Sequence, residues 1–253
     1  MLGLILLITA IGMACSTFSN GGSYDPAEAW VDMAYVKEKP TDSAAAATAL
    51  ATGVKTNNGM LGVDTEKTPR KNALEYAEAM GKSTGVITSV PLSHATPAGF
   101  AVHQAARNEY AGIAQEMIER TALDVIMGCG HPTYDEGGKA LIVAPADLEK
   151  QAGYVGGAAL WGALNAQTAG ADADGDGTPD PWTLIEAPEQ FEALASGDTP
   201  KRLLGVARAH SVLQEGRPAT VDCNGDGKLD ADDIKAAEPY EMAPNPAVPS
   251  LVT

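Results

Sequence analysis

Three consecutive segments near the middle of the chain limit its architecture more than anything else in it. "TGVITSV" at 84–90 is a β-branched run that reads as a strand. "NEYAGIAQEMIERTA" at 108–122 repeats apolar residues at helical spacing, and "LDVIMGCG" at 123–130 is again an apolar strand. Strand, helix and strand in that order form a βαβ unit, which requires a parallel pair and a crossover. The expected class is therefore α/β, with a largely parallel central sheet between helical layers. In such folds ligands gather at the carboxyl ends of the strands, where loops and helix N-termini converge. "SVPLSHATPAGFAVHQAARNEY", 89–110, begins at one of those ends.

Upstream, "TDSAAAATALATGVKT" at 41–56 places Asp42 and Ser43 in front of an alanine run that ends at Gly53. Alanine is the strongest helix former, and either Asp or Ser suits an N-cap. Ser43 is thus either a cap or a hydroxyl held at the positive end of a helix. "NNG" at 57–59 reads as a turn, and "TPRKNALEYAEAMGK" as a helix with Pro69 at its first position and Gly81 at its end. Beyond about residue 137 the periodicity weakens. The apolar opening "MLGLILLITAIGMAC" has no preceding Lys or Arg and is short for a membrane span; it reads as a buried strand or a displaced chain start, with an export signal as the alternative.

Charge narrows the function classes. A net charge of −16 argues against nucleic acid or an anionic membrane as partner. Three cysteines, with no C-x-x-C spacing, give neither a zinc knuckle nor a complete disulfide framework.

"TDSAAAATALATGVKTNNGMLGVD" resembles the nucleophile segment of the alkaline phosphatase family, T-D-S-A-A-x-A-T-A followed by T-G-x-K-T and G-x-x-G-V-D. "SHATPAGFAVHQAARNEY" resembles the family's segment from its third metal site to its phosphate-gripping arginine, and Ser43 and Arg107 stand 64 residues apart, a distance that fits the family. The likeness runs over about 16–215 and is densest over 41–133. It implies a three-layer sandwich, incomplete here, that hydrolyses phosphate monoesters. By resemblance, Ser43 attacks the ester and becomes phosphoserine, Arg107 forks two phosphate oxygens, and Asp42 fixes that guanidinium. Thr96 matches a hydroxyl ligand of the magnesium-type site. His94 stands where members carry Asp or His, as a ligand or as a hydrogen-bonded neighbour of one. His103 reads as structural, His131 and His210 as surface or loop histidines, and Lys55 and Thr56 belong to the motif without assigned chemistry.

The family's zinc ligands are mostly absent. No Asp-His dipeptide occurs, no histidine has Asp four positions before it, and either Thr9-Ala10 stand where the first strand's Asp-Gly is expected or, with "GMACSTFSNGGSYDP" aligned downstream of that strand, the strand is missing. The chain is thus expected to be a partial alkaline phosphatase, with Mg2+ and Zn2+ as the family's metals and weak or no activity by itself. The resemblance also implies a periplasmic or extracellular address and admits a homodimer.

Two acidic stretches fall outside that motif. "DCNGDGKLDADD", 222–233, fits a calcium loop: Asp222, Asn224, Asp226, the Lys228 carbonyl, Asp230 and Asp233 supply oxygens around Gly227. Its closing Asp and missing entering helix make it resemble a dockerin-type or truncated EF-hand. "DADGDGTPD" offers Asp172, Asp174, Asp176 and Asp180. For both, a solvated acidic turn is the alternative. The organisation expected is a phosphatase core over 1–215 with an acidic insert at 170–183, a Ca2+-loop insert at 216–240 and an extended tail at 241–253. The competing function is a calcium-binding interaction module on an inactive phosphatase scaffold.

Overall fold

A computed structural model describes residues 25–38, 40–197 and 199–213. The apolar opening, the 222–233 loop and the tail lie outside the described residues. The rest falls into two compact units: one holds the described residues up to Thr84 together with His94–Glu109, and the other holds Gly85–Ser93 and the described residues from Tyr110 on.

In the first unit, α1 (Pro26–Val31) starts under an Asp25 cap and is followed by α2 (Met33–Glu38). Helix α3 (Ser43–Thr52) is the alanine run, and it stops at Gly53, which takes a left-handed φ of 73°. One face of α3 is made of buried Ala44, Ala45, Ala47, Thr48 and Ala51. Side chains this small let the neighbouring backbone come close. A Cβ on Gly99, just past α5 (Ala95–Ala98), would lie 2.6 Å from the Ala47 Cβ. The loop after α3 is held from both sides. Thr48 Oγ1 donates to the Met60 carbonyl at 3.1 Å and accepts the Gly62 amide at 2.9 Å, and Leu61 exchanges two backbone bonds of 2.8 Å with Gln104. Helix α4 (Ala73–Ala79) begins later than Pro69 suggests. Asn72 caps it, accepting the Glu75 amide while Glu75 accepts the Asn72 amide, and Pro69 instead lies in an isolated bridge with Val63.

The second unit is built on four parallel strands, β1 (Gly85–Pro91), β2 (Val125–Cys129), β3 (Thr183–Ile185) and β4 (Leu203–Val206), in the order β1-β2-β4-β3. The fold is α/β. Gly85 pairs Val125 and Val125 pairs Leu203, so the register continues across β1, β2 and β4. Helix α6 (Tyr110–Arg120) crosses from β1 to β2 and buries Ile113, Ala114, Met117 and Ile118. Beyond residue 137 the chain is more ordered than its periodicity suggests: α7 (Pro145–Gln151), a 3-10 turn (Ala152–Val155), α8 (Ala158–Asn165), β3, α9 (Pro188–Ala193) and β4 all fall there. Ile185, Phe191 and Leu203 pack one cluster of that region. Arg202 locks it together. Its buried guanidinium donates to the carbonyls of Thr121, Leu123, Ala171 and Asp180 and lies 3.9 Å from the Trp182 ring. Among the described residues, no helix is long and apolar enough to cross a membrane.

Candidate active site at the N-terminus of helix α3

The choice between Asp42 and Ser43 as cap is settled by geometry. Asp42 has extended backbone and its Oδ1 accepts the Ala45 amide at 2.9 Å, so Asp42 is the N-cap. Ser43 is the first helical residue, half-buried, and no partner takes its hydroxyl among the described residues. A helix start leaves early amides without intrahelical acceptors and carries about half a positive charge. Ser43 stands at that end.

Arg107 reaches the same place. Its Nη1 donates to Asp42 Oδ2 at 2.9 Å, and its own amide donates to the Gly59 carbonyl at 2.8 Å. Gly59 returns the contact by donating its amide to Asp42 Oδ2 at 2.9 Å. Asn58 completes the frame, with Oδ1 accepting the Asp42 amide at 3.1 Å and Nδ2 donating to the Pro40 carbonyl at 3.0 Å. Burial alone would raise the Asp42 pKa, but the Ala45 amide, the Arg107 guanidinium and the Gly59 amide together outweigh it and hold the carboxyl below its ordinary value. Asp42 is therefore an anion at neutral pH. The turn residues Asn58 and Gly59 are the parts of this frame that the sequence left without a role; their signals were the "NNG" turn and, for Gly59, the opening of the G-x-x-G-V-D match.

His94 precedes α5 as its N-cap and is half-buried, while Thr96 is exposed on the first turn of α5. Burial first, and then the nearby Arg107 charge, push the His94 imidazole below its ordinary pKa, so it is neutral at pH 7. His103 Nε2 faces the Arg70 carbonyl at 3.2 Å and Glu75 at 3.5 Å. Asp42, Ser43, His94, Thr96 and Arg107 all belong to the first unit.

As a metal centre this set does not fit. Its one carboxylate, Asp42, is taken up by the Ala45 and Gly59 amides and by Arg107, and the remaining imidazole and two hydroxyls make a poor shell for Mg2+, which prefers an octahedron of oxygens with carboxylates among them. Among the described residues, the one group of three or more carboxylate, thiolate or imidazole ligands close enough to share an ion is Asp172, Asp174 and Asp176 in the second unit. No zinc ligand set is built by the described residues.

In that acidic loop the ligand oxygens of Asp172, Asp174 and Asp176 lie within 4.8 Å of one another and are exposed. Asp180 stands outside the trio. Its Oδ1 and Asp174 Oδ2 each take the Lys201 ammonium at 2.7 Å, and those bonds hold both carboxyls below their usual range and push the lysine up. His131 is not a surface histidine. It is buried, its Nε2 meets Glu186 Oε1 at 2.5 Å, and its ring packs edge-on against Tyr134 and Trp161. His210 is half-buried, and its Nδ1 donates to the His131 carbonyl at 3.2 Å.

Fold and site together define an α/β protein in which a serine hydroxyl and an arginine are gathered at the start of one helix. The model of the alkaline phosphatase family matches residues 28–154, half of the sequence, and the chain belongs to that family. It is 40% identical over 119 residues to alkaline phosphatase 4 of Bacillus subtilis, covering 45% of this chain and 25% of that protein. It is 39% identical over 130 residues to alkaline phosphatase H of Pseudomonas aeruginosa, covering 44% and 27%. The chain thus spans about a quarter of the length of these curated relatives. Among solved structures, the cold-active alkaline phosphatase of a psychrophilic Shewanella species is 31% identical, with a TM-score of 0.48 over 68% of this chain and 33% of that one.

Proposed function

We propose that this chain carries the nucleophile and phosphate-gripping part of an alkaline phosphatase-type phosphomonoesterase. The observation that carries the reading is the 2.9 Å pair between Arg107 and Asp42 at the N-terminus of α3, next to Ser43. A guanidinium fork matches two oxygens of a phosphate better than an ammonium does. With one edge of the guanidinium held by Asp42, its other nitrogens are left to take the ester's non-bridging oxygens. The Ser43 oxygen then forms a bond to phosphorus as the ester's P–O bond breaks, and the hydroxyl proton leaves with the alcohol. Water next attacks the phosphoserine, releasing inorganic phosphate and restoring the hydroxyl. The helix end stabilises the developing serine alkoxide only modestly. Metals supply several kcal/mol to such steps, and the described residues offer no site for them near Ser43, so the isolated chain turns over slowly or not at all. The substrate is a phosphate monoester. A periplasmic or extracellular address and a homodimer accompany this reading by resemblance.

The test is a chromogenic phosphate ester with and without added zinc and magnesium, followed by an acid quench and peptide mapping. Phosphate on Ser43, absent in Ser43→Ala, with turnover far below that of a full-length alkaline phosphatase, is the expected result. Phosphate on another residue would overturn the assignment, and full turnover would overturn the expectation of weak activity.

A second reading has its own observation: three carboxylates of the acidic loop converge within 4.8 Å. We infer Ca2+ binding there, with a further site at 222–233. Heat on calorimetric titration with Ca2+, lost in Asp172→Asn, supports it; no heat up to millimolar Ca2+ contradicts it.

A further inference from the structure

We propose that Arg208, at the carboxyl edge of the parallel sheet, is the receptor for an oxyanion that comes from outside the described residues. The inference goes beyond the Ser43 and Arg107 reading and uses none of its residues.

Three arginines among the described residues are neither exposed nor at a surface rim: Arg107, Arg202 and Arg208. The first is paired with Asp42, and the second gives its protons to four carbonyls. Arg208 differs. It is half-buried, its Nε is fully shielded from solvent and has no hydrogen-bond partner, and no carboxylate of the described chain meets its terminal nitrogens. The Tyr134 ring lies 5.3 Å from its Cζ. This happens in a chain with 33 acidic and 17 basic residues, where Lys201 alone collects two aspartates. An Nε–H removed from water without an acceptor carries a cost, and the terminal nitrogens beside it, which are not shut off from solvent, stand open to a charged acceptor, the partner that a guanidinium binds best.

The position suits a ligand. Arg208 follows β4, which is inserted between β2 and β3, and the chain beyond β2 and β4 stays paired past the strand ends: Ala207 donates to the Gly128 carbonyl, and Gly130 and His131 both donate to the Ala209 carbonyl. The backbone carrying Arg208 is therefore rigid at the edge where ligands of parallel sheets bind. With Tyr134 lying against its side chain, the guanidinium presents its terminal nitrogens as a fork, the geometry that pairs with phosphate or carboxylate oxygens.

Peptide-resolved labelling of the whole chain with phenylglyoxal tests this. Inorganic phosphate and acetate serve as competing probes in separate arms, and digestion is carried out at lysines. Arg208 is expected to react without an anion and to be protected several-fold by phosphate, by acetate, or by both, and the arm that protects tells which oxyanion it takes. Unchanged labelling of Arg208 in both arms overturns the proposal. Arg107 lies in a different peptide, so its protection reports separately on the proposed active site. In Arg208→Gln, the phosphate- or acetate-dependent rise in thermal midpoint should lose the share that Arg107→Lys retains. Equal rises in wild type and Arg208→Gln also count against the site. If Arg208→Gln fails to fold, the labelling of wild type decides alone.

Discussion

Asp42 does three jobs with two oxygens, and its substitutions separate them. Oδ1 caps α3 through the Ala45 amide, while Oδ2 takes Arg107 and the Gly59 amide, each at 2.9 Å. Loss of an N-cap costs about 1 kcal/mol. A hydrogen bond to a charged group is worth about 1.5–3 kcal/mol. The Arg107 and Asp42 side chains are 28% and 23% exposed, so solvent screens the pair and the lower part of that range applies. Asp42→Ala removes cap, ion pair and Gly59 acceptor, and should cost about 2–4 kcal/mol. Asp42→Asn keeps an Oδ1 that caps nearly as well but removes the charge, and should cost about 1–2 kcal/mol. The gap between the two variants, about 1 kcal/mol, is the cap. Urea titration followed by circular dichroism at equal slope measures both. Equal stability of the two variants, or an Asp42→Ala protein within experimental error of wild type, would show that Asp42 does not hold the three bonds in solution.

Other perturbations follow from the same geometry. Gly99→Ala places a methyl where the Ala47 Cβ lies 2.6 Å away, so it should destabilise by about 1–3 kcal/mol in the same titration, although the Gly99 φ of −62° suits any residue. Arg202→Met strands four carbonyls and should cost more than about 3 kcal/mol; a smaller loss would mean that water replaces the guanidinium. His94 has a depressed pKa because burial and Arg107 disfavour its cation. Its contribution to stability is fully present above the ordinary value of 6.5 and is lost as pH falls from there toward the lower folded value. The urea midpoint should therefore drop between neutrality and about pH 5 by more in wild type than in His94→Gln. Parallel pH profiles of the two proteins would contradict that assignment.

How far the sequence could be read depended on how local each cause was. Strands β1 and β2 and helix α6 announce themselves through β-branched runs and an apolar helical stripe, and all three form where the pattern puts them. Helix α4 misled because Pro69 is a good opening residue, yet the Asn72 and Glu75 exchange two hydrogen bonds and win. Strands β3 and β4, of three and four residues, are too short to show a period, and they exist because neighbours on the sheet supply their hydrogen bonds. The burial of His131 was not legible because Glu186, which partners it, stands 55 residues away. In the candidate site the motif named Asp42, Ser43 and Arg107 together. That Asp42 and not Ser43 caps the helix, and that Asn58 and Gly59 brace the pair, are outcomes of how the loop closes back on α3.

A crystal structure of the chain with vanadate, which mimics phosphorus under attack by an oxygen, would probe the site most directly. One vanadate is expected at the start of α3, bonded to the Ser43 oxygen and held by two nitrogens of an Arg107 that still contacts Asp42. Vanadate bound to Arg107 with Ser43 turned away, or an Arg107 that leaves Asp42 and points elsewhere, would contradict it.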